Sequence, residues 1–258
     1  MTKTIAIAGK GGTGKTLVAA LMIDYIVKNR LGTVLAIDAD PSTNLNLALG
    51  VPLYETIGDI REETVREIQR GGSLLGMSKP DYIDLRINQA LVEERGFDLL
   101  AMGRPEGPGC YCAANNFLRM SIDRLSSSYD YVVIDNEAGL EHLSRRTTRD
   151  VDVLFILSDP TMRGIIAAGR AAQLLRELDT NVGEVHLIVN KVRGSLPIGL
   201  KNVISEKGLD LVGLIPEDPM VVEYDAKGLP LVKLPPHSPA RAAIEKIIKT
   251  LNIGGRNA

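Results

Sequence analysis

Seven short, mostly apolar runs punctuate the chain, at positions 4–8, 34–37, 99–102, 131–134, 151–157, 185–189 and 211–215. Within them apolar residues follow one another instead of alternating with polar ones. A strand turns successive side chains to opposite faces, so this pattern predicts strands covered on both sides, as in a mostly parallel sheet. The segments between carry helical spacing. Positions 17–27 place Val18, Leu21, Met22 and Tyr25 at steps of three and four, and 164–178 place Ile165, Ala168, Ala172 and Leu175 in the same way. Ile244, Ile247, Ile248 and Leu251 give a last helix one apolar stripe. Strand and helix in alternation predict βαβ units with right-handed crossovers. The expected fold is α/β: a mostly parallel, doubly wound sheet with helices on both faces, in one domain over 1–258. The charged stretch 61–95 predicts helices inserted at the sheet's edge.

Composition narrows the partners. The chain has 258 residues, 45% hydrophobic and 24% charged, an ordinary globular balance. Thirty Lys and Arg oppose thirty-two Asp and Glu, for a net charge of −2. That argues against a nucleic-acid partner held by a basic field. No apolar stretch is long enough for a transmembrane helix or a signal-peptide core, so a cytoplasmic protein without a membrane partner is expected. The C-terminal stripe lacks Phe and Trp and reads as a packed surface helix rather than a bilayer anchor.

In open parallel sheets ligands bind beyond the carboxyl ends of the strands, so the residues after each run carry the candidate chemistry. After the first run comes Gly9-Lys10-Gly11-Gly12-Thr13-Gly14-Lys15-Thr16, which fits G-x-x-x-x-G-K-[ST] between a strand and a helix. Gly11, Gly12, Thr13 and Gly14 let backbone N–H groups wrap phosphates. Lys15 can reach the β- and γ-phosphates of ATP or ADP, and Thr16 can offer its hydroxyl to Mg²⁺. Lys10 is redundant within one chain, which suggests that it reaches a nucleotide held by another subunit. After the second run, Asp38 and Asp40 lie two residues apart and can support Mg²⁺ and position an attacking water. After the fourth, Asp135 caps an apolar strand as a second Mg²⁺ ligand. Asn190 can pair with an adenine edge, and Pro216 and Glu217 can wall the same base.

Both cysteines of the chain, Cys110 and Cys112, follow the third run and sit two residues apart. Two thiolates facing one way can bind a soft or borderline metal, but a closed tetrahedral site takes four ligands, which a two-fold dimer would supply. A pair of free thiols is the simpler alternative. His142, His186 and His237 are isolated, and His186 reads as a core residue.

The loop from Lys10 to Thr16, with Asp38-Ala39-Asp40-Pro41, Asp135 to Gly139 and Asn190-Lys191, resembles the deviant Walker A ATPases, over nearly the whole chain. These include the nitrogenase iron protein, MinD and ParA ATPases and CooC-type nickel-insertion ATPases. The resemblance implies a P-loop NTPase that hydrolyses ATP as a homodimer, with Lys10 touching the partner's nucleotide and Asp40 positioning water. Within the family, Cys110-Tyr111-Cys112 and the segment 136–143 resemble the CooC branch most. That implies Ni²⁺ or Zn²⁺ at the dimer interface and a nickel-enzyme client such as carbon monoxide dehydrogenase. An iron–sulfur carrier or reductase-type ATPase, and a MinD- or ParA-like scaffold or partitioning ATPase, stand as alternatives.

Overall fold

The computed structural model describes residues 2–69, 76–104, 119–138, 150–177 and 181–253. A strand stands at each of the seven apolar runs. In chain order the strands are β1 (Lys3–Gly9), β2 (Val34–Ala39), β3 (Val92–Glu94), β4 (Phe97–Ala101), β5 (Tyr131–Asn136), β6 (Asp150–Ser158), β7 (Asn181–Val192) and β8 (Leu211–Pro216). They form one sheet in the order β3-β4-β2-β5-β1-β6-β7-β8. Every neighbouring pair is parallel except β3 with β4.

The helices are α1 (Lys15–Lys28), α2 (Leu45–Leu49), α3 (Ile57–Gln69), α4 (Lys79–Ala90), α5 (Met162–Glu177), α6 (Ile198–Glu206), α7 (Pro219–Ala226) and α8 (Pro239–Thr250). They cover both faces. Ile5, Ile7, Phe155 and Leu157 pack with α1, α2 and α8 on one side. Their alternate neighbours Ala6, Ala8, Leu154 and Ile156 pack with α3, α4, α5 and α6 on the other. This two-sided burial is why the strands read as continuous apolar runs. Full burial of each large aliphatic or aromatic side chain contributes about 1.5–3 kcal/mol.

Two expectations are refined. The 61–95 stretch holds most of α3 and all of α4, as expected, but it ends in β3, an antiparallel edge strand. Val92, Glu93 and Glu94 have no apolar run to announce them, and an edge strand needs none. Helix α1 is buried on most sides, with Leu17, Val18, Leu21, Met22, Ile23 and Ile26 all in the core.

The C-terminal stripe is packed, with Ile244, Ile247 and Ile248 buried. Arg241 fastens α8 to α1, donating to Asp24 Oδ2 at 2.7 Å and to Val232 O at 2.6 Å. No helix among the described residues is long and apolar enough to cross a membrane. His186 is buried against the Phe155 ring, its two nitrogens meeting Asp210 at 2.6 Å and Glu184 at 3.0 Å. Cys110, Cys112 and His142 lie outside the described residues.

The strand order places the chemistry. β5 lies between β1 and β2, with Asp135 in register with Ile7 on one side and Asp38 on the other. Residues about a hundred positions apart in sequence therefore emerge side by side at one edge of the sheet.

Candidate functional site

Helix α1 starts without the side-chain cap that three of the other helices carry. Ser78, Asp218 and Ser238 cap α4, α7 and α8 with side-chain oxygens. At α1 the cap position is Gly14, with φ +91°, no side-chain bond and no acidic residue in the first turn. Its first N–H groups thus remain available to an anion, and the helix dipole favours one there. Gly14 is required twice over: its backbone is left-handed, and a Cβ would sit 2.3 Å from the Asn190 amide nitrogen. The loop closes on itself through Thr13, whose N–H and hydroxyl both donate to Lys10 O, at 3.3 and 2.8 Å.

A cavity of about 650 Å³ opens over this loop, a size suited to a small-molecule ligand. Gly11, Gly12, Gly14, Lys15 and Thr16 line it, as do Asp40 and Ala138. Asn190, Pro216 and Glu217 line the cavity too. Apolar surface comes from Leu47 on α2 and Val221 and Val222 on α7, which the sequence did not flag. The two loop lysines part company: Lys15 is 8% exposed and lines the cavity, whereas Lys10 is exposed and does not.

Thr16 and Asp135 meet as expected. The Thr16 hydroxyl donates to Asp135 Oδ2 at 2.6 Å. Asp135 Oδ1 is buried and has no partner among the described residues. A hydroxyl beside an orphaned carboxylate oxygen suits Mg²⁺, whose other ligands would be phosphate oxygens and water. Asp38 is placed differently from the expectation. Its oxygens accept from the N–H groups of Asp40, at 3.1 Å, and Leu45, at 2.9 Å. Its carboxylate is thus directed to the 40–45 loop, which it shapes, and it holds Asp40 at the cavity wall. No three His, Cys, Asp or Glu side chains converge as a metal site among the described residues.

Burial sets the charge state. Desolvation foremost pushes the Asp135 carboxyl up to about 7; the neighbouring Asp38 adds to the rise, while the Thr16 hydroxyl and Lys15 oppose it. Desolvation likewise pushes Asp38 up to about 6, against the lowering effect of its two backbone amides. A carboxyl whose folded pKa is raised binds its proton more tightly in the folded state. Its stabilising contribution is complete below the unfolded pKa, about 4, and is lost as pH rises through the folded value. We therefore expect nucleotide-free protein to lose stability between pH 4 and 7. Asp135→Asn, which cannot ionise, should be spared the Asp135 part of that loss, on the order of a few kcal/mol. Urea unfolding of both proteins across this range is the measurement; parallel profiles would show that Asp135 ionises normally.

Asn190 also departs from the expected adenine contact. Its amide nitrogen donates to Thr13 O at 2.8 Å and its oxygen accepts from Lys191 N at 2.7 Å, so it braces the loop. Pro216 and Glu217 do reach the cavity, and Glu217 is paired with Arg193, whose Nη2 donates to Oε1 at 2.9 Å. That guanidinium holds the Glu217 carboxyl below its ordinary range. Asp218 carries a role that the sequence reading missed. It caps α7 through Met220 N and accepts from Ser238 Oγ at 2.6 Å, joining the starts of α7 and α8. A Pro following Asp218 and another following Ser238 were the available signal.

Comparison with known proteins agrees with this geometry. Residues 4–231 match the family described as the CobQ/CobB/MinD/ParA nucleotide binding domain. An uncharacterized ATP-binding protein of Methanocaldococcus jannaschii is 44% identical over 247 residues, covering 96% of this chain and 97% of the relative. The carbon monoxide dehydrogenase accessory protein CooC of Rhodospirillum rubrum is 30% identical over 267 residues, covering 96% and 99%. Among solved structures, the septum site-determining protein MinD of Pyrococcus horikoshii, complexed with Mg-ADP, superposes with a TM-score of 0.72 at 23% identity. That match covers 99% of this chain and 100% of the other.

Proposed function

The chain belongs to the CobQ/CobB/MinD/ParA nucleotide-binding family, and from that premise we propose that it is an ATP-hydrolysing, dimerising metallochaperone assisting nickel insertion into carbon monoxide dehydrogenase or a related nickel enzyme. The uncapped start of α1, with Lys15 in the cavity and Thr16 on Asp135, supports the ATP half of this reading. In the proposed cycle Lys15 and the loop amides hold the phosphates. Thr16 and Asp135 hold Mg²⁺, which would draw charge from the phosphate oxygens. Asp40 orients the attacking water, and Lys10 reaches the nucleotide of a second copy.

The observation that carries the metal half is the Cys110-Tyr111-Cys112 segment, in a chain similar to CooC over almost its full length. It begins a few residues beyond β4, where Met102 N–H donates to Asp38 O at 2.8 Å. The cysteines are thus a short stretch of chain from the aspartate that shapes the Asp40 loop. A MinD- or ParA-like scaffold role is the second reading, because the fold match to MinD fits it equally well. An iron–sulfur carrier is the third, since four thiolates across a dimer can hold a cluster.

Metal analysis of anaerobically purified protein separates these readings. The metallochaperone reading expects one Ni²⁺ or Zn²⁺ per two chains, metal-promoted dimerisation without nucleotide, and loss of both in Cys110→Ser or Cys112→Ser with ATP binding retained. A brown, cluster-type absorption spectrum would establish the iron–sulfur reading instead. Full metal retention by the double serine variant would show that the ligands lie elsewhere. Nickel-dependent activation of an apo client with ATP is the functional counterpart.

A further inference from the structure

β7 ends in an irregularity. Its register with β8 shifts between Val189 and Val192, and Lys191 has a left-handed backbone, φ +60°. A long side chain adopts that conformation at a cost that glycine would avoid, so its presence asks for a compensating contact. The contact is on the P-loop: the Lys191 ammonium donates to Gly12 O at 2.8 Å. Asn190 donates to the next carbonyl, Thr13 O, also at 2.8 Å. In a regular strand, neighbouring residues point to opposite faces; the distorted end of β7 lets two consecutive side chains grip two consecutive carbonyls of one loop.

The grip fixes the loop's amides. A trans peptide places its C=O and N–H on opposite sides. With Gly12 O held by Lys191, the Thr13 N–H turns away and closes on Lys10 O. With Thr13 O held by Asn190, the N–H of Gly14, which lines the cavity, turns away from β7. The Asn190 oxygen in turn accepts from Lys191 N, and Glu217 N–H donates to Val192 O at 3.0 Å, so the clamp is tied on both sides. We propose that Lys191 is a positioning residue for the phosphate site: its ammonium keeps the P-loop preformed, so that the nucleotide need not order the loop on binding. The inference rests on the reading of this loop as a phosphate cradle.

Calorimetric titration of the full chain with Mg-ATP tests it, alongside thermal melting. Lys191→Met keeps the stem and loses the charge; we expect binding about tenfold weaker, the scale of one charge-assisted hydrogen bond. Lys191→Gly also loses the ammonium but suits the left-handed backbone. It is expected to melt no lower than Lys191→Met and yet bind as weakly. Lys191→Arg, which keeps a donor, should recover part of the affinity. In steady-state hydrolysis KM should rise more than kcat falls. Affinity within twofold of wild type in the Met and Gly variants overturns the inference and leaves the cradle reading intact. Restored affinity in Lys191→Gly overturns it too, because the backbone alone would then be what mattered. Wild-type protein that binds no nucleotide overturns both.

Discussion

Lys15→Ala is expected to weaken Mg-ATP binding by a hundredfold or more, a loss of about 3 kcal/mol. The size follows from the company that Lys15 keeps. It lines the cavity with 8% of its surface exposed, and its charge acts on Asp135. Asp40 lines the same cavity, and Asp38 lies buried beside Asp135 in the strand register. Without Lys15 a polyphosphate would lose that buried ammonium while the Asp40 carboxylate stays in the cavity wall, leaving only the helix dipole and the Lys191 ammonium, already engaged on Gly12 O, to draw it. The substitution therefore removes an attraction and uncovers a repulsion. Lys15→Arg keeps the charge but not the compact ammonium, and an intermediate affinity is expected from it. Calorimetry with Mg-ATP is the measurement, with a thermal melt to show that the variant folds. Affinity within threefold of wild type would remove the phosphate-binding role from this loop.

The second large effect separates Lys10 from Asp40. Lys10 is exposed and stands outside the cavity walls, so Lys10→Ala should keep one nucleotide per chain at near wild-type affinity. If its ammonium serves a second copy, ATP-induced dimerisation should disappear and hydrolysis fall by a hundredfold or more. Asp40 lies in the cavity wall, with its N–H held by Asp38 and its Oδ1 accepting from Ser42 N at 2.8 Å. Asp40→Ala should bind ATP and dimerise but hydrolyse at a few percent of the wild-type rate, accumulating an ATP-bound dimer. Size-exclusion chromatography with ATP and a phosphate-release assay distinguish the two variants. Identical behaviour, whether both dimerise or neither does, would refute the division of labour.

What was legible in the sequence followed from local rules. Runs such as 131–134 and 185–189 announced buried strands because both faces of the sheet are covered, and that leaves continuous apolar stretches. The loop from Gly9 to Thr16 announced itself because a phosphate cradle needs small residues at fixed spacing, whatever the rest of the chain does. β3 was silent because three edge residues with two glutamates carry no periodic signal.

Tertiary structure decided the partners of each site residue. Asp38 and Asp40 share one motif, yet the 40–45 loop folds back and takes the Asp38 oxygens for backbone amides, leaving Asp40 at the cavity. Asn190 offers an amide that fits an adenine edge on paper; the distorted end of β7 brings it, with Lys191, onto the P-loop carbonyls instead. The apolar lining from Leu47 and Val222 comes from helices far apart in sequence. By itself the sequence determined the α/β layering, the loop and the types of group available, because burial and turn chemistry act over a few neighbouring residues. Which oxygen meets which donor depended on strand order and on one shifted register, and these are settled only when the whole sheet has assembled.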